Sequence, residues 1–297
     1  MGDIYASPTS IIRYETCPKQ QFFYRHGWRQ QGLSDTMHFG NAAHNALEVF
    51  HRAETFGLSV DLQKLFTDAF LRPLATNTIR YGASRDKESL LATGRSLMEQ
   101  FPEVWKATGL HAFLDNEGPL VERKYRVRIP KANVVLVGKI DLAAIDQDGR
   151  VFLLDNKTPG QTHDTDFTAS SDQMLVYQAI FEAHAHQHGI ERINGVGIHA
   201  LERRKVSTTG RGEGPVVREP DIVERRADAD VQEYLTKVAD YATDMRNGRF
   251  PKRPLHEHNS PCKLCEYAGA CRDGDFTGLV NNRKQQVKER DAQSVAA

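Results

Sequence analysis

Two short β-rich runs carry the side chains most suited to hydrolytic chemistry. Gly138-Lys139-Ile140-Asp141 is followed, after the turn Asp146-Gln147-Asp148-Gly149, by Leu154-Asp155-Asn156-Lys157. Cross-strand partners in a hairpin have residue numbers of constant sum, and a three-residue loop Gln147-Asp148-Gly149 makes that sum 296. Gly149 then takes the left-handed position that closes such a loop. Asp141 falls opposite Asp155, and the pleat puts Lys157 on the same face as Asp155. A two-residue loop would send the carboxylates to opposite faces.

Val134 to Val137, Ile140 and Val151 to Leu154 surround these charges with apolar residues, the pattern of strands buried on both faces. Charges so placed must be paired or metal-bound. Two carboxylates suit Mg²⁺ or Mn²⁺, a cation that keeps waters, clamps a phosphodiester and activates one of those waters. Lys157 would orient or help deprotonate the attacking water. The same residues also fit a salt-bridged hairpin solvated by Asp146, Asp148 and Lys139.

Further candidates lie on either side. His44 sits early in a helix, four residues after Gly40, and Glu48 and His51 share its helix face. Glu122 stands in the alternating run Val121 to Val127 before the hairpin, beside Arg123, Lys124 and Arg126. Gln173 and Tyr177, four apart, fall on one face of a later helix, where an amide, a hydroxyl and a stacking ring could meet a phosphate or a base. Cys262, Cys265 and Cys271 cluster near the end of the chain, with Cys17-Pro18 near the start. In a reducing compartment such cysteines are metal ligands or bystanders rather than disulfides. A Cys₄ zinc site, which His256 and His258 could enlarge, is one reading.

The elements that must position these groups are legible from pattern. Ser7-Pro8-Thr9-Ser10 starts a helix carrying Ile11, Ile12, Tyr14 and Phe22 to Tyr24. Residues 36 to 115 lack alternation and are rich in helix formers, which predicts a helical lobe. Strands follow at 121–127, 134–145 and 151–154, a helix over about 168–188, a strand at 195–201, a flexible glycine-rich loop at 207–215, and an amphipathic helix over 231–247. A polar tail of doubtful order occupies 276–297.

The 297 residues allow one large domain or two small ones, and a 39% hydrophobic content excludes a disordered chain. Formal net charge is zero, so bulk charge gives no argument for nucleic acid. No run approaches a membrane span and Met1 to Ser10 lacks the build of a signal peptide, which reads as a cytoplasmic protein without a membrane partner. The chain has no Gly-x-x-x-x-Gly-Lys-Ser/Thr phosphate loop, hence no helicase motor.

Asp141 followed by Asp155-x-Lys157 on adjoining strands resembles the PD-(D/E)XK nuclease superfamily. Gly40-x-x-x-His44, Gln173-x-x-x-Tyr177 and the split cysteines resemble its RecB-like branch, in particular the iron-sulfur members, AddB-like or stand-alone CRISPR-associated and phage exonucleases. The resemblance runs from Ser7 through Cys271. It implies an α/β fold of the restriction-endonuclease type: a mixed central sheet flanked by helices, with a helical insert lobe and a C-terminal iron-sulfur staple, in a single domain over 1–275. It implies Asp141, Asp155 and Lys157 as catalytic residues, with His44, Asp141, Asp155 and the Asn156 backbone carbonyl holding Mg²⁺ or Mn²⁺ and Glu122 in acidic support. Gln173 and Tyr177 would bind substrate. Cys17, Cys262, Cys265 and Cys271 would hold a 4Fe-4S cluster, with zinc as the alternative. The expected activity is DNA exonuclease on single-stranded ends, 5′ to 3′, approached through Arg13, Lys19, Arg25 and Arg29, with protein partners in a recombination or CRISPR complex. The second functional class is a non-catalytic DNA-binding or assembly subunit.

Overall fold

The Ser7 side chain accepts the Ser10 amide at 3.2 Å while the Ser10 hydroxyl accepts the Ser7 amide at 2.8 Å, a capping box that opens the helix Pro8–Thr16. In place of one continuous helix the computed structural model shows two, because Cys17 is extended (φ −160°, ψ 112°) before the second helix, Pro18–Arg25. Pro18 excludes the helical conformation at the residue before it. The structure describes residues 3–129, 132–160, 165–206, 213–254 and 260–283. His256, His258 and residues 207–212 of the glycine-rich loop lie outside this set.

The chain divides into two compact units, the first made of Met1–Gly32, Arg128–Leu136 and Leu235–Ala297, the second of Leu33–Val127 and Val137–Tyr234. In the first, Ile4–Ala6 pairs in parallel with Val134 to Leu136, and Trp28–Gln30 pairs antiparallel with Leu279–Asn281. The segment expected as a polar tail from 276 therefore begins as a packed strand. Leu279 supplies the reason, since it packs against the buried cluster of Phe23, Tyr267 and Ala270.

Of residues 36–115, expected as a helical lobe, the second unit forms the helices Asp35–Thr55, Leu62–Leu71 and Lys87–Ala107, each capped at its start by a side-chain oxygen from Ser34, Asp61 and Asp86, whereas His111–Ala112 joins the sheet by pairing with Ile145 and Ala144. Phe39, Phe66, Phe70, Phe101 and Trp105 fill the lobe and join Leu142, Ala144, Leu154 and Leu201 of the sheet in one core. Gly94 leaves the space that the Phe66 ring occupies.

The sheet is mixed. Val134–Ile145 and Val151–Lys157 form an antiparallel hairpin whose partners, from Ile145 with Val151 to Leu142 with Leu154, all sum to 296. Gly149 has φ +79°, and the Asp146 amide donates to the Arg150 carbonyl at 3.1 Å, closing the three-residue loop. The next strand, Gly195–Glu202, runs parallel to Val151–Lys157 and sets Asp155 beside Ile198 and Lys157 beside Ala200. Asp221–Glu224 closes that side antiparallel, and Val121–Ile129 pairs with the long hairpin strand. The connection expected as one helix over 168–188 is broken into Thr165–Ser170, Asp172–Glu182 and a 3₁₀ turn at Ala185–His188. Ser171, extended at ψ 114°, makes the first break. Among the described residues no helix is long and apolar enough to cross a membrane.

Candidate metal and catalytic site

Asp141 and Asp155 are 5% and 1% exposed, one on each strand of the hairpin. Asp141 Oδ2 accepts the backbone N–H of Asn156 at 2.9 Å. The helix Asp35–Thr55 delivers His44, whose Nδ1–H donates to Glu122 Oε1 at 3.1 Å and lies 3.4 Å from Asp141 Oδ2. His44, Glu122 and Asp141 offer ligand atoms that all fall within 4.8 Å of one another. Lys139, read from sequence as a solvating charge, forms an ion pair with Glu122.

Asp155 belongs to a second set of contacts. Its Oδ2 pairs with Lys157 Nζ at 2.6 Å, and its Oδ1 accepts from Gln173 Nε2 at 2.8 Å and from the Tyr177 hydroxyl at 3.3 Å. Gln173 Oε1 accepts from Lys157 Nζ at 2.9 Å, and Gln173 Nε2 also donates to the Tyr177 hydroxyl at 2.8 Å. The four-residue spacing on Asp172–Glu182 turns both side chains onto the hairpin, where they clamp the carboxylate and its lysine. Asn156 is buried, and its side-chain Oδ1 has no hydrogen-bond partner.

The close approach of that helix depends on Gly138. A Cβ there would collide with Ile180 and lie 3.8 Å from the Tyr177 ring. Gly40, one turn before His44, likewise brings its helix backbone against Thr158, at 3.5 Å from a would-be Cβ. Neither contact can be read from composition. The signal was the glycine itself, standing beside a charged residue in an otherwise apolar strand or one turn before a histidine. Glu122 also departs from expectation, since its φ of +53° lies in the left-handed region that non-glycine residues avoid. Strain of this kind persists where surrounding contacts hold it, here His44 and Lys139.

Electrostatics follow from burial and crowding. Burial, reinforced by the charge of Asp155, pushes Asp141 up to about 7. Burial alone would lower His44, but its hydrogen bond to Glu122 and the charges of Asp141, Glu122 and Asp155 outweigh it and the imidazole is raised. Burial would raise Glu122, yet His44 and Lys139 hold it below the ordinary range. Burial and the Asp155 charge raise Tyr177 well above a normal phenol, so it stays a hydrogen-bond donor. The protein thus gathers carboxylates around an imidazole whose protonated form they favour. A divalent cation would relieve the same repulsion, and an N,O donor set suits Mn²⁺ or Mg²⁺.

Glu48 and His51 do not join this site. Glu48 pairs with Arg52 at 3.0 Å, and His51 is buried with its ring 4.6 Å from that of Trp105. In the first unit, Cys17, Cys262, Cys265 and Cys271 all line one cavity of about 360 Å³. Burial, together with the nearby thiols of Cys17 and Cys262, raises Cys265, and burial raises Cys271. Arg13 and Arg29 stack on the Tyr24 ring at 3.6 and 3.3 Å, and Lys19 lies 3.9 Å from the Phe22 ring, while burial lowers Arg25.

A buried carboxylate hairpin with an adjoining lysine and a histidine–carboxylate group is a site of the divalent-metal hydrolase class. The chain belongs to the PD-(D/E)XK nuclease superfamily, whose family model matches residues 5–272. That superfamily comprises metal-dependent nucleases. No curated protein matches the chain. Among solved structures it is similar to the one described as the crystal structure of SSO0001, at 10% identity over 86% of this chain and 92% of the other, with a TM-score of 0.34.

Proposed function

We propose that this chain is a divalent-metal-dependent DNA exonuclease of the RecB-like branch, acting on single-stranded ends in the 5′ to 3′ direction. The observation that carries the reading is the pairing of two buried groups: His44, Glu122 and Asp141 with ligand atoms within 4.8 Å, and Asp155 held by Lys157, Gln173 and Tyr177 beside them. His44, Glu122, Asp141 and Asp155, with the Asn156 carbonyl, would hold the ion. When bound, a divalent cation supplies Lewis-acid polarisation of the phosphodiester and lowers the pKa of a coordinated water.

The protein's own residues do the rest. Lys157, held beside Asp155 at 2.6 Å and by Gln173 at 2.9 Å, would orient the attacking water. Gln173 keeps Lys157 and Asp155 in register, and Tyr177, held protonated by its raised pKa, donates throughout. Preorganised charge of this kind stabilises the anion that develops at phosphorus.

The four cysteines would hold a 4Fe-4S cluster. All four line one cavity in the first unit, and the split placement of Cys17 near the start and Cys262, Cys265 and Cys271 near the end of the chain is the arrangement that supports iron-sulfur over a four-thiolate zinc site. The roles fit bacterial or phage DNA processing, in recombination, repair or CRISPR-type reactions, with protein partners in those complexes.

End-labelled single- and double-stranded DNA incubated with Mn²⁺ or Mg²⁺ tests the activity, comparing wild type with Asp155→Ala and Lys157→Ala. Loss of at least ~100-fold in both folded variants, the order expected for a principal catalytic group, supports the reading, and the product ladder gives polarity. Binding without cleavage in any metal would instead support a DNA-binding subunit. Iron content and absorbance near 400 nm of anaerobically purified protein, lost in Cys17→Ser, test the cluster; stoichiometric zinc would replace it.

A further inference from the structure

Arg203 follows the strand Gly195–Glu202 and is 7% exposed. Its backbone N–H donates to the Pro159 carbonyl at 2.8 Å and its Nε–H to the Thr158 carbonyl at 2.5 Å, which anchors the guanidinium at the end of the strand that bears Asp155 and Lys157. The guanidinium carbon lies 5.4 Å from the centre of the Phe39 ring. Its Nη1 is buried and has no hydrogen-bond partner. A second guanidinium stands close by: Arg85 Nη2 is 3.6 Å from the position a Cβ would take on Gly160, and burial, together with the charge of Arg85, depresses Arg203 to about 10.

Among the described residues the charges around this pair do not balance. Asp35 is the acid that acts on both, and it is already engaged, accepting the amides of Thr36 at 2.6 Å and Gly82 at 3.1 Å. Among the described residues neither Arg85 nor Arg203 forms an ion pair. Two cations against one anion leave a surplus of a single positive charge, held partly out of water, where an uncompensated charge is costly. One phosphodiester carries the missing charge, and guanidinium forks match its paired oxygens.

We propose that Arg85 and Arg203 form a clamp for a backbone phosphate of the DNA strand, a subsite beside the hydrolytic centre and outside its metal-binding and lysine residues. This rests on the nuclease reading above. Along an extended chain Thr158 lies about 10 Å beyond Asp155, so the phosphate held here is a neighbour of the one being cut. Such a contact fixes the register of the strand without reading its sequence.

The test is binding rather than cleavage. Anisotropy of a short fluorescein-labelled single strand, measured in EDTA over a range of salt with full-length protein, compares wild type, Arg85→Gln, Arg203→Lys and Lys64→Gln. Lys64 makes an exposed pair with Asp68 on the lobe and controls for loss of bulk charge. Arg85→Gln should bind several-fold more weakly and lower the log–log salt slope by about 0.7 to 1, the value for one phosphate contact, with unchanged thermal melting. Arg203→Lys keeps the charge and should lose affinity with a smaller change of slope. A wild-type slope in Arg85→Gln, or an equal change in Lys64→Gln, overturns the clamp while leaving metal-dependent cleavage intact. Wild-type protein that binds no DNA removes the clamp and the nuclease reading together.

Discussion

The backbone amide of Asn156 donates to Oδ2 of Asp141 over 2.9 Å, so the residue between Asp155 and Lys157 on one hairpin strand holds the carboxylate of the other. Asp141 is thereby pinned next to His44 and Glu122 rather than free to swing to solvent. One main-chain hydrogen bond ties the group of Asp141, His44 and Glu122 to the lysine-bearing strand. The consequences can be measured separately.

Asp141→Asn should stabilise the metal-free protein while removing its metal affinity. The folded pKa is raised above 3.8, so the carboxylate opposes folding at pH values above that and the cost is fully developed above about 7. The amide keeps an acceptor for Asn156 and removes the repulsion from Asp155. Urea unfolding at pH 8 in EDTA should show a gain on the order of 2 kcal/mol, and Mn²⁺ titration should show binding weakened at least tenfold. A less stable variant in EDTA would contradict the charge crowding.

Metal affinity should climb with pH through neutrality. His44 and Asp141 are both raised, and each must lose its proton to become a ligand, so protons are released on binding. Calorimetric Mn²⁺ titrations in buffers of different ionisation enthalpy would count those protons. A constant affinity from pH 6 to 8 would speak against it.

His51 and His199 are buried and lowered by burial to about 3 and about 4. The unfolded chain therefore binds protons first: stability from both groups is complete above about 6.5 and is lost as pH falls from there toward the folded values. At pH 5 each group should have cost about 2 kcal/mol. Denaturant unfolding of wild type and His51→Leu at pH 7 and pH 5 checks this, with the variant showing the smaller decline.

Gly138→Ala should damage the site without touching a charge. The added methyl meets Ile180 and pushes away the helix that carries Gln173 and Tyr177. A loss of about 1 to 3 kcal/mol is expected for overpacking, with cleavage falling alongside. Because the clash is with the Ile180 Cδ1 atom, adding Ile180→Val should restore much of both. Failure of that second change to rescue would place the role of Gly138 in backbone conformation instead.

Several of these relationships were present in the residue order. A three-residue loop at Gln147 to Gly149 puts both aspartates on one face where a two-residue loop would not, and the strands pair with that sum because a hairpin register is a local property of turn and pleat. Four-residue spacing likewise put Gln173 and Tyr177 together, since helix geometry decides it within one turn. The break at Cys17-Pro18 is equally local, since a proline excludes the helical conformation at the residue before it whatever the apolar periodicity across it.

What the chain order could not contain is which distant groups share a charge. Glu122 meeting His44 across 78 positions, Lys139 turning in to Glu122, and Arg203 reaching the carbonyl beyond Lys157 each depend on how helices seat on the sheet. Seating is set by volume, by Gly40 and Gly138 admitting a backbone and by Phe39 and Ile180 filling what remains. Local sequence decides the period and direction of a side chain. Only close packing of the whole unit decides which buried charge has a partner and which still lacks one.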